Sequence, residues 1–292
     1  MSRLEVGVIG ATSFVGECLL SRLSQDGQQI LAFSRQSKKN TVDSISWRQF
    51  SSSPPAQRAP ESESVENWIC AAPIWILPEH FDMLVARGAR RIVAVSSTSR
   101  LTKKDSSDPG EQAVARQLTE AEAKLQAWAE EHRIEWVVLR PTLIYGLGRD
   151  KNVGDIARFI RRFGFFPLLG KANGQRQPIH ARDVADACVE AMRAPGVRNR
   201  AYNISGGETL SYREMVTRVF KAMDRPPLML PVPLFAFRSA VALLRFLPGY
   251  RHLSAAMAER MNRDLVFDHS EAMRDFDFEP RGFELSARDL PE

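Results

Sequence analysis

Tyrosine is scarce in this chain: there are four among 292 residues, and none stands between residues 1 and 144. No phenol from that stretch can act as a proton carrier. Cysteine is scarcer still. Cys18, Cys70 and Cys188 lie far apart, form no C-x-x-C pair and fall in apolar stretches. A disulfide framework is thereby excluded, and the three read as buried free thiols in a reducing compartment. The five histidines show no H-E-x-x-H or other metal spacing, so no metal site is expected. Long apolar runs are missing too. The richest stretch, Leu228 to Leu247, is broken by Pro231, Pro233, Arg238 and Arg245, whereas a spanning helix needs roughly 20 mostly apolar residues. A strand-like run, Leu4 to Ile9, starts almost at once, so no leader peptide and a cytoplasmic location are expected.

Charge of one sign is not concentrated either. Lys plus Arg number 40 and Asp plus Glu 35, a net of 40 − 35 = +5. The densest basic groups, Arg87/Arg90/Arg91 and Arg158/Arg161/Arg162, sit at helical spacings. They read as solvated helix faces and not as a nucleic-acid track. The mild excess suits a small anionic ligand such as a dinucleotide or nucleotide sugar.

What is present is an alternation. Leu4–Ile9, Ile30–Phe33, Trp68–Ala72, Arg91–Val95 and Trp136–Leu139 are short, β-branched or apolar runs of the kind buried in parallel sheets. Between them Phe14, Val15, Cys18, Leu19 and Leu23 recur at helical spacing, Pro78–Arg87 is helical, and Ala113 to His132 is a clear helix. Ser51–Ser64 and Thr102–Gln112 read as exposed loops. Strand–helix alternation winds a parallel sheet with helices on both faces. Past Gly146 it weakens into helices near 153–163, 183–193 and 211–223 among proline-rich loops. The expected fold is therefore α/β, a doubly wound parallel sheet with a smaller C-terminal substrate lobe. Residues 1–147 with 175–206 would form the first unit, and 148–174 with 207–292 the second.

Between the first strand and first helix stands Gly10-Ala11-Thr12-Ser13-Phe14-Val15-Gly16. Small residues there let backbone approach a pyrophosphate, and the helix amino terminus supplies N–H groups and a positive dipole. The plain alternative is an ordinary tight turn. The second strand ends in Phe33-Ser34-Arg35, with Lys38 and Lys39 close behind. An acidic residue at this place would select NAD. An arginine pairs with the 2′-phosphate of NADP, so NADP is the expected cofactor, with NAD the alternative.

These residues resemble the extended and atypical short-chain dehydrogenase/reductase family, in particular its nucleoside-diphosphate-sugar epimerase/dehydratase branch. The Gly10–Gly16 loop is similar to the family's G-x-x-G-x-x-G, with Ser13 in place of the middle glycine. Ala71-Ala72-Pro73 resembles the segment beneath the cofactor, and Ser96-Ser97-Thr98 the strand end that carries a catalytic Ser or Thr. Arg140-Pro141-Thr142-Leu143-Ile144-Tyr145-Gly146 is similar to R-P-x-x-[VI]-Y-G beside the nicotinamide. Gln177 to Ala185 and Tyr202 to Glu208 resemble the motifs that follow. The resemblance implies an NAD(P)-binding Rossmann fold and an oxidoreductase or isomerase on a nucleotide sugar or related carbonyl/alcohol. A homodimer is a candidate assembly.

One departure falls on the chemistry. The family expects Tyr-x-x-x-Lys on the helix after the Ser/Thr, and here alignment puts Arg116 and Glu120 at those two positions. A guanidinium stays protonated and cannot shuttle a proton. The pair reads either as an i,i+4 surface ion pair or as a replacement, with Glu120 the general base. Thr98 would hold the reacting oxygen or merely end its strand. Tyr145 would move the proton or pack with its hydroxyl bonded locally. Arg176 would pair with a substrate phosphate or lie solvated on a loop, and His180 reads as a structural hydrogen-bonding residue. With the dyad gone, a non-catalytic NAD(P)-binding sensor or assembly protein is the rival expectation.

Overall fold

Seven parallel strands form one sheet in the computed structural model, which describes residues 5–39, 42–50, 64–235 and 255–291. In chain order they are β1 (Val6–Ile9), β2 (Ile30–Ser34), β3 (Ile45–Gln49), β4 (Asn67–Cys70), β5 (Arg91–Val95), β6 (Glu135–Pro141) and β7 (Arg200–Ile204). In space they run β7-β6-β5-β4-β1-β2-β3. The chain winds outward from β1 in both directions, so the order reverses between β1 and β4. Ligands of doubly wound sheets sit outside the carboxyl ends of the strands at such a reversal. β1, β2 and β5 are buried along their whole length, as strands covered on both faces must be.

Each face of the sheet carries its own core. Against one lie α1 (Phe14–Gln25) and α6 (Ala181–Arg193), with Leu19, Leu23, Val184 and Cys188 wholly buried. Against the other lie a 3-10 segment, Ile74–His80, then α2 (Phe81–Ala86) and α4 (Pro109–His132), packed through Trp68, Leu77, Leu84 and Leu125. The short α3 (Ser99–Thr102) follows β5. A third core joins α5 (Val153–Phe163) to α7 (Tyr212–Ala222). Short pairings hold it: Phe166–Leu169 with Met229–Val232, Gln175–Arg176 with Leu210–Ser211, and Ile144–Tyr145 with Ile179–His180. Helices α8 (Ala255–Asn262) and α9 (Ser270–Phe276) complete the described chain.

Several expectations are adjusted. β3 is an additional edge strand, half-exposed throughout. α4 begins earlier, at Pro109, because Asp108 caps it by accepting from the Gly110 and Glu111 N–H groups and proline suits the first helical position. Arg91 is not a solvated helix residue. It is buried at the start of β5, where its guanidinium donates to the Ala191, Ala194 and Val197 carbonyls and pairs with Glu135 at 2.6 Å. Those carbonyls end α6 and follow it, where a cation also meets the negative end of the helix dipole. Arg158, Arg161 and Arg162 are exposed. All three thiols are buried, and burial pushes Cys18 up to about 11 and Cys70 up to about 12. Leu4, residues 51–63 and residues 236–247 lie outside the described residues.

Candidate functional site

The carboxyl ends of β1, β4, β5 and β6 bring the sequence motifs to one edge. Gly10 closes β1 at φ +78°, in the left-handed region, and a Cβ there would overlap the Ala72 backbone. Gly10 and Ala72 thus pack with no side chain between them, giving the close backbone approach a pyrophosphate needs. Ser13 begins α1. Its Oγ accepts from the Gly16 N–H at 3.0 Å and donates to the Ala71 carbonyl at 3.0 Å. The side chain that replaces a glycine is therefore folded inward, toward the end of β4, and leaves the outer surface of the turn free. Ala11, Val15 and Gly16 are buried under the loop, Phe14 is half-buried and Thr12 is exposed. The first N–H groups of a helix have no acceptor within it, so this turn fits the diphosphate of a dinucleotide.

Around the turn, Ser34 is buried with its Oγ accepting from the Gln36 N–H. Arg35 is exposed just beyond β2, and among the described residues its side chain has no recorded partner. Lys38 is exposed over the Trp47 ring, 5.9 Å from its centroid. Pro73 is exposed where the 3-10 segment begins, and Pro141 is buried, its carbonyl accepting from both the Thr98 N–H and hydroxyl.

At the other end of the cleft the candidate catalytic side chains are already occupied. Thr98 is buried, and its hydroxyl donates to the Pro141 carbonyl at 3.1 Å. Tyr145 is fully buried in the third core, edge-on to His180 and Phe283 with ring centroids 5.1 and 4.9 Å away. Its hydroxyl lies 3.3 Å from the Glu284 carbonyl and 3.5 Å from that of Gly282. Burial pushes its pKa well above the ordinary phenol value. The phenol is packed in the third core with its hydroxyl bonded locally. His180 caps α6 by accepting from the Arg182 N–H through Nδ1, and its Nε2 lies 3.0 Å from Asp289.

Arg116 and Glu120 are exposed, and they form no ion pair with each other or with any other described residue. They line a cavity of about 340 Å³ between α3 and α4 together with Arg100, Lys104 and Thr119. The face of α4 turned to the strand ends is marked by a residue the sequence reading passed over, Glu122. It is buried, accepts from Ser96 at 2.5 Å, and is clasped by Arg140 through both carboxylate oxygens, with Arg100 at 3.2 Å. Four and eight residues back on that face stand Leu118 and Val114. Arg116 and Glu120 stand on another flank of α4 from these apolar positions.

Arg176 has partners of its own. It is buried, donates to the Gln175, Arg260 and Arg263 carbonyls, and lies over the Tyr212 ring. Burial holds its pKa down to about 10. Through these carbonyls it ties the strand Gln175–Arg176 to the end of α8.

Sheet, turn and helix thus define a dinucleotide-binding fold of the doubly wound kind. Residues 81–205, rather less than half of the chain, match the family described as NAD dependent epimerase/dehydratase. A UDP-glucose 4-epimerase from Vibrio cholerae is 29% identical over 120 residues, 41% of this chain and 37% of that protein. The chain thus spans little more than a third of that relative. An NADH dehydrogenase [ubiquinone] 1 alpha subcomplex subunit 9 from Arabidopsis thaliana is 22% identical over 285 residues, 84% of this chain and 64% of that protein. Among solved structures, the UDP-glucose 4-epimerase of Thermotoga maritima with UDP-glucose has a TM-score of 0.64 at 14% identity, covering 98% of this chain and 95% of its own. The UDP-glucuronic acid 4-epimerase of Bacillus cereus in complex with NAD has a TM-score of 0.68 at 12% identity, with the same coverage. These two likenesses establish the fold. No described helix is long and apolar enough to cross a membrane.

Proposed function

We propose that this chain is an NADP-dependent, epimerase-like oxidoreductase acting on a nucleotide sugar or a related carbonyl or alcohol in the cytoplasm. The observation that carries the reading is the β1–α1 turn, where Gly10 packs directly on Ala72 and Ser13 folds inward beneath the helix amino terminus. The cofactor supplies the hydride chemistry when bound. Arg35, with Lys38 and Lys39 behind it, holds the 2′-phosphate. Thr98 donates its proton to Pro141, so its free lone pairs receive the hydroxyl of an alcohol substrate. The substrate takes the cleft between residues 1–147 with 175–206 and the smaller lobe of 148–174 and 207–292. The UDP-sugar epimerases among the relatives support a nucleotide-sugar ligand.

The test is titration calorimetry with NADPH and NADH on the protein and on Arg35→Ala. NADPH binds more tightly, and the substitution removes about 1.5–3 kcal/mol of that preference. Equal affinities, unchanged by the substitution, overturn the NADP assignment. Turnover of UDP-glucose with either cofactor then tests the reaction.

A second reading has its own observation. Tyr145 and Glu122 bond to protein partners, Thr98 has already given its proton to Pro141, and the face of α4 that carries Glu122 is apolar at 114 and 118. A non-catalytic protein that holds NADP as a sensor or assembly component needs no proton relay. The breadth of the similarity to the NADH dehydrogenase subunit supports it. NADPH binding with no turnover of any nucleotide sugar or simple ketone selects this reading.

A further inference from the structure

The segment after Tyr145 crosses from the third core onto the cofactor turn. Gly146, Leu147 and Gly148 follow one another at φ +120°, +56° and +64°. For a leucine the left-handed region is strained, and such strain persists only where the surroundings fix it. Here they do. Leu147 packs on the core around α1, and a Cβ on Gly148 would overlap the Leu290 backbone. Asp150 is buried and accepts from the Asn152 and Gly154 N–H groups, pinning the far end of the segment to the start of α5. Between these anchors Arg149 is exposed and reaches back over the cofactor turn. Its guanidinium lies 2.5 Å from the Glu17 carboxylate and 3.4 Å from the Thr12 carbonyl.

Glu17 stands in the first turn of α1. A carboxylate there is favourable to the bare helix dipole but repels a diphosphate brought to the same helix end. We propose that Arg149 is a clamp for the diphosphate of the bound dinucleotide, held ready on Glu17 and swinging to the ligand when it arrives. This inference rests on the dinucleotide reading of the Gly10–Gly16 turn. The guanidinium supplies a positive wall that the turn lacks, since the turn itself offers backbone N–H groups and the uncharged Thr12 hydroxyl. Arginine suits the role because its planar fork pairs with two oxygens of a phosphate at once. The exchange is thermodynamically easy, because the Arg149–Glu17 pair is about half-exposed on both sides and exposed pairs are weak.

The experiment compares binding of NADPH with binding of adenosine 2′-monophosphate, which has the adenine and 2′-phosphate but no diphosphate. Competition calorimetry is run on the full chain, on Arg149→Ala and on Glu17→Gln, with melting temperatures recorded. Arg149→Ala is expected to weaken NADPH about ten- to a hundredfold while leaving the monophosphate unchanged. Glu17→Gln, which frees the arginine and removes the repulsion, is expected to tighten NADPH severalfold. If Arg149→Ala binds NADPH as the parent does, or loses both ligands equally, the clamp is overturned and the dinucleotide reading stands. If the parent protein binds neither NADPH nor NADH, that reading fails instead.

Discussion

The two ends of the cleft are built from different materials. At the dinucleotide end the fit is made by backbone: a glycine against an alanine, a helix amino terminus, and a serine turned inward. At the other end the polar side chains are held by protein partners: Thr98 by Pro141, Tyr145 by Glu284, and Glu122 by Ser96 and Arg140. A backbone cradle cannot change without disturbing β1 and α1 beside it. A single side chain can be exchanged with less disturbance to the sheet.

The comparison can be broken at its strong end first. Gly10→Val adds a branched side chain where φ is +78° and the Ala72 backbone leaves no space. Left-handed strain and overpacking together are expected to destabilise the fold by about 2–5 kcal/mol and abolish dinucleotide binding, measured by denaturant unfolding and calorimetry. A variant that folded and bound NADPH normally would show that the turn does not form the site. Next in size is Arg176→Met, which leaves three partly buried carbonyls without their donor. It should lower stability by about 2–4 kcal/mol, with no change in UDP affinity beyond that loss. A selective loss of UDP binding in a stable variant would restore Arg176 to the substrate.

Tyr145→Phe removes one long hydrogen bond in the core. About 0.5–1.5 kcal/mol of stability is expected to go, and any turnover present in the parent should persist. A proton carrier would instead show a fall of roughly a hundredfold or more in rate. The smallest effect sharpens the picture through pH. Burial holds His80 and His269 below the ordinary value of 6.5. His80 is stacked on Phe50 at 4.1 Å, and His269 lies 2.5 Å from Ser205. The fold prefers both rings neutral, so their contribution is full above pH 6.5 and declines as the pH falls below it. Thermal melts from pH 7.5 to 5 should show a modest drop, reduced in His80→Phe.

Much of the sheet and the whole cofactor turn were legible in the sequence, because buried parallel strands are apolar throughout and a glycine-rich turn carries its own spacing. β3 was not, since Ile45–Gln49 is short and half-exposed and Ile45 and Trp47 alternate with polar residues over too few positions. The burial of Arg91 and Arg176 was not legible, because sequence spacing says nothing of distant backbone carbonyls. Glu122 carried a signal that went unused. It stands on the stripe Ala115, Leu118, Glu122 and Leu125, and an acid on an apolar helical stripe needs a partner, here Arg140 and Ser96. That stripe fixes which face of α4 meets the strand ends.

Residues 281–290 have a bearing on how the molecule is assembled. Arg281 grips Asp183, Glu284 receives the Tyr145 hydroxyl, Asp289 holds His180, and Leu290 sits against Gly148. These partners are 98, 139 and 109 positions apart for the first three contacts. Such distant contacts close late, after local helices and neighbouring strands have formed. A nascent chain can build the sheet and its cofactor turn while the span from Gly146 to Asp150 is still unsupported. Residues 281–290 thus join α6, the third core and the Gly146–Asp150 span into one closed circuit of contacts.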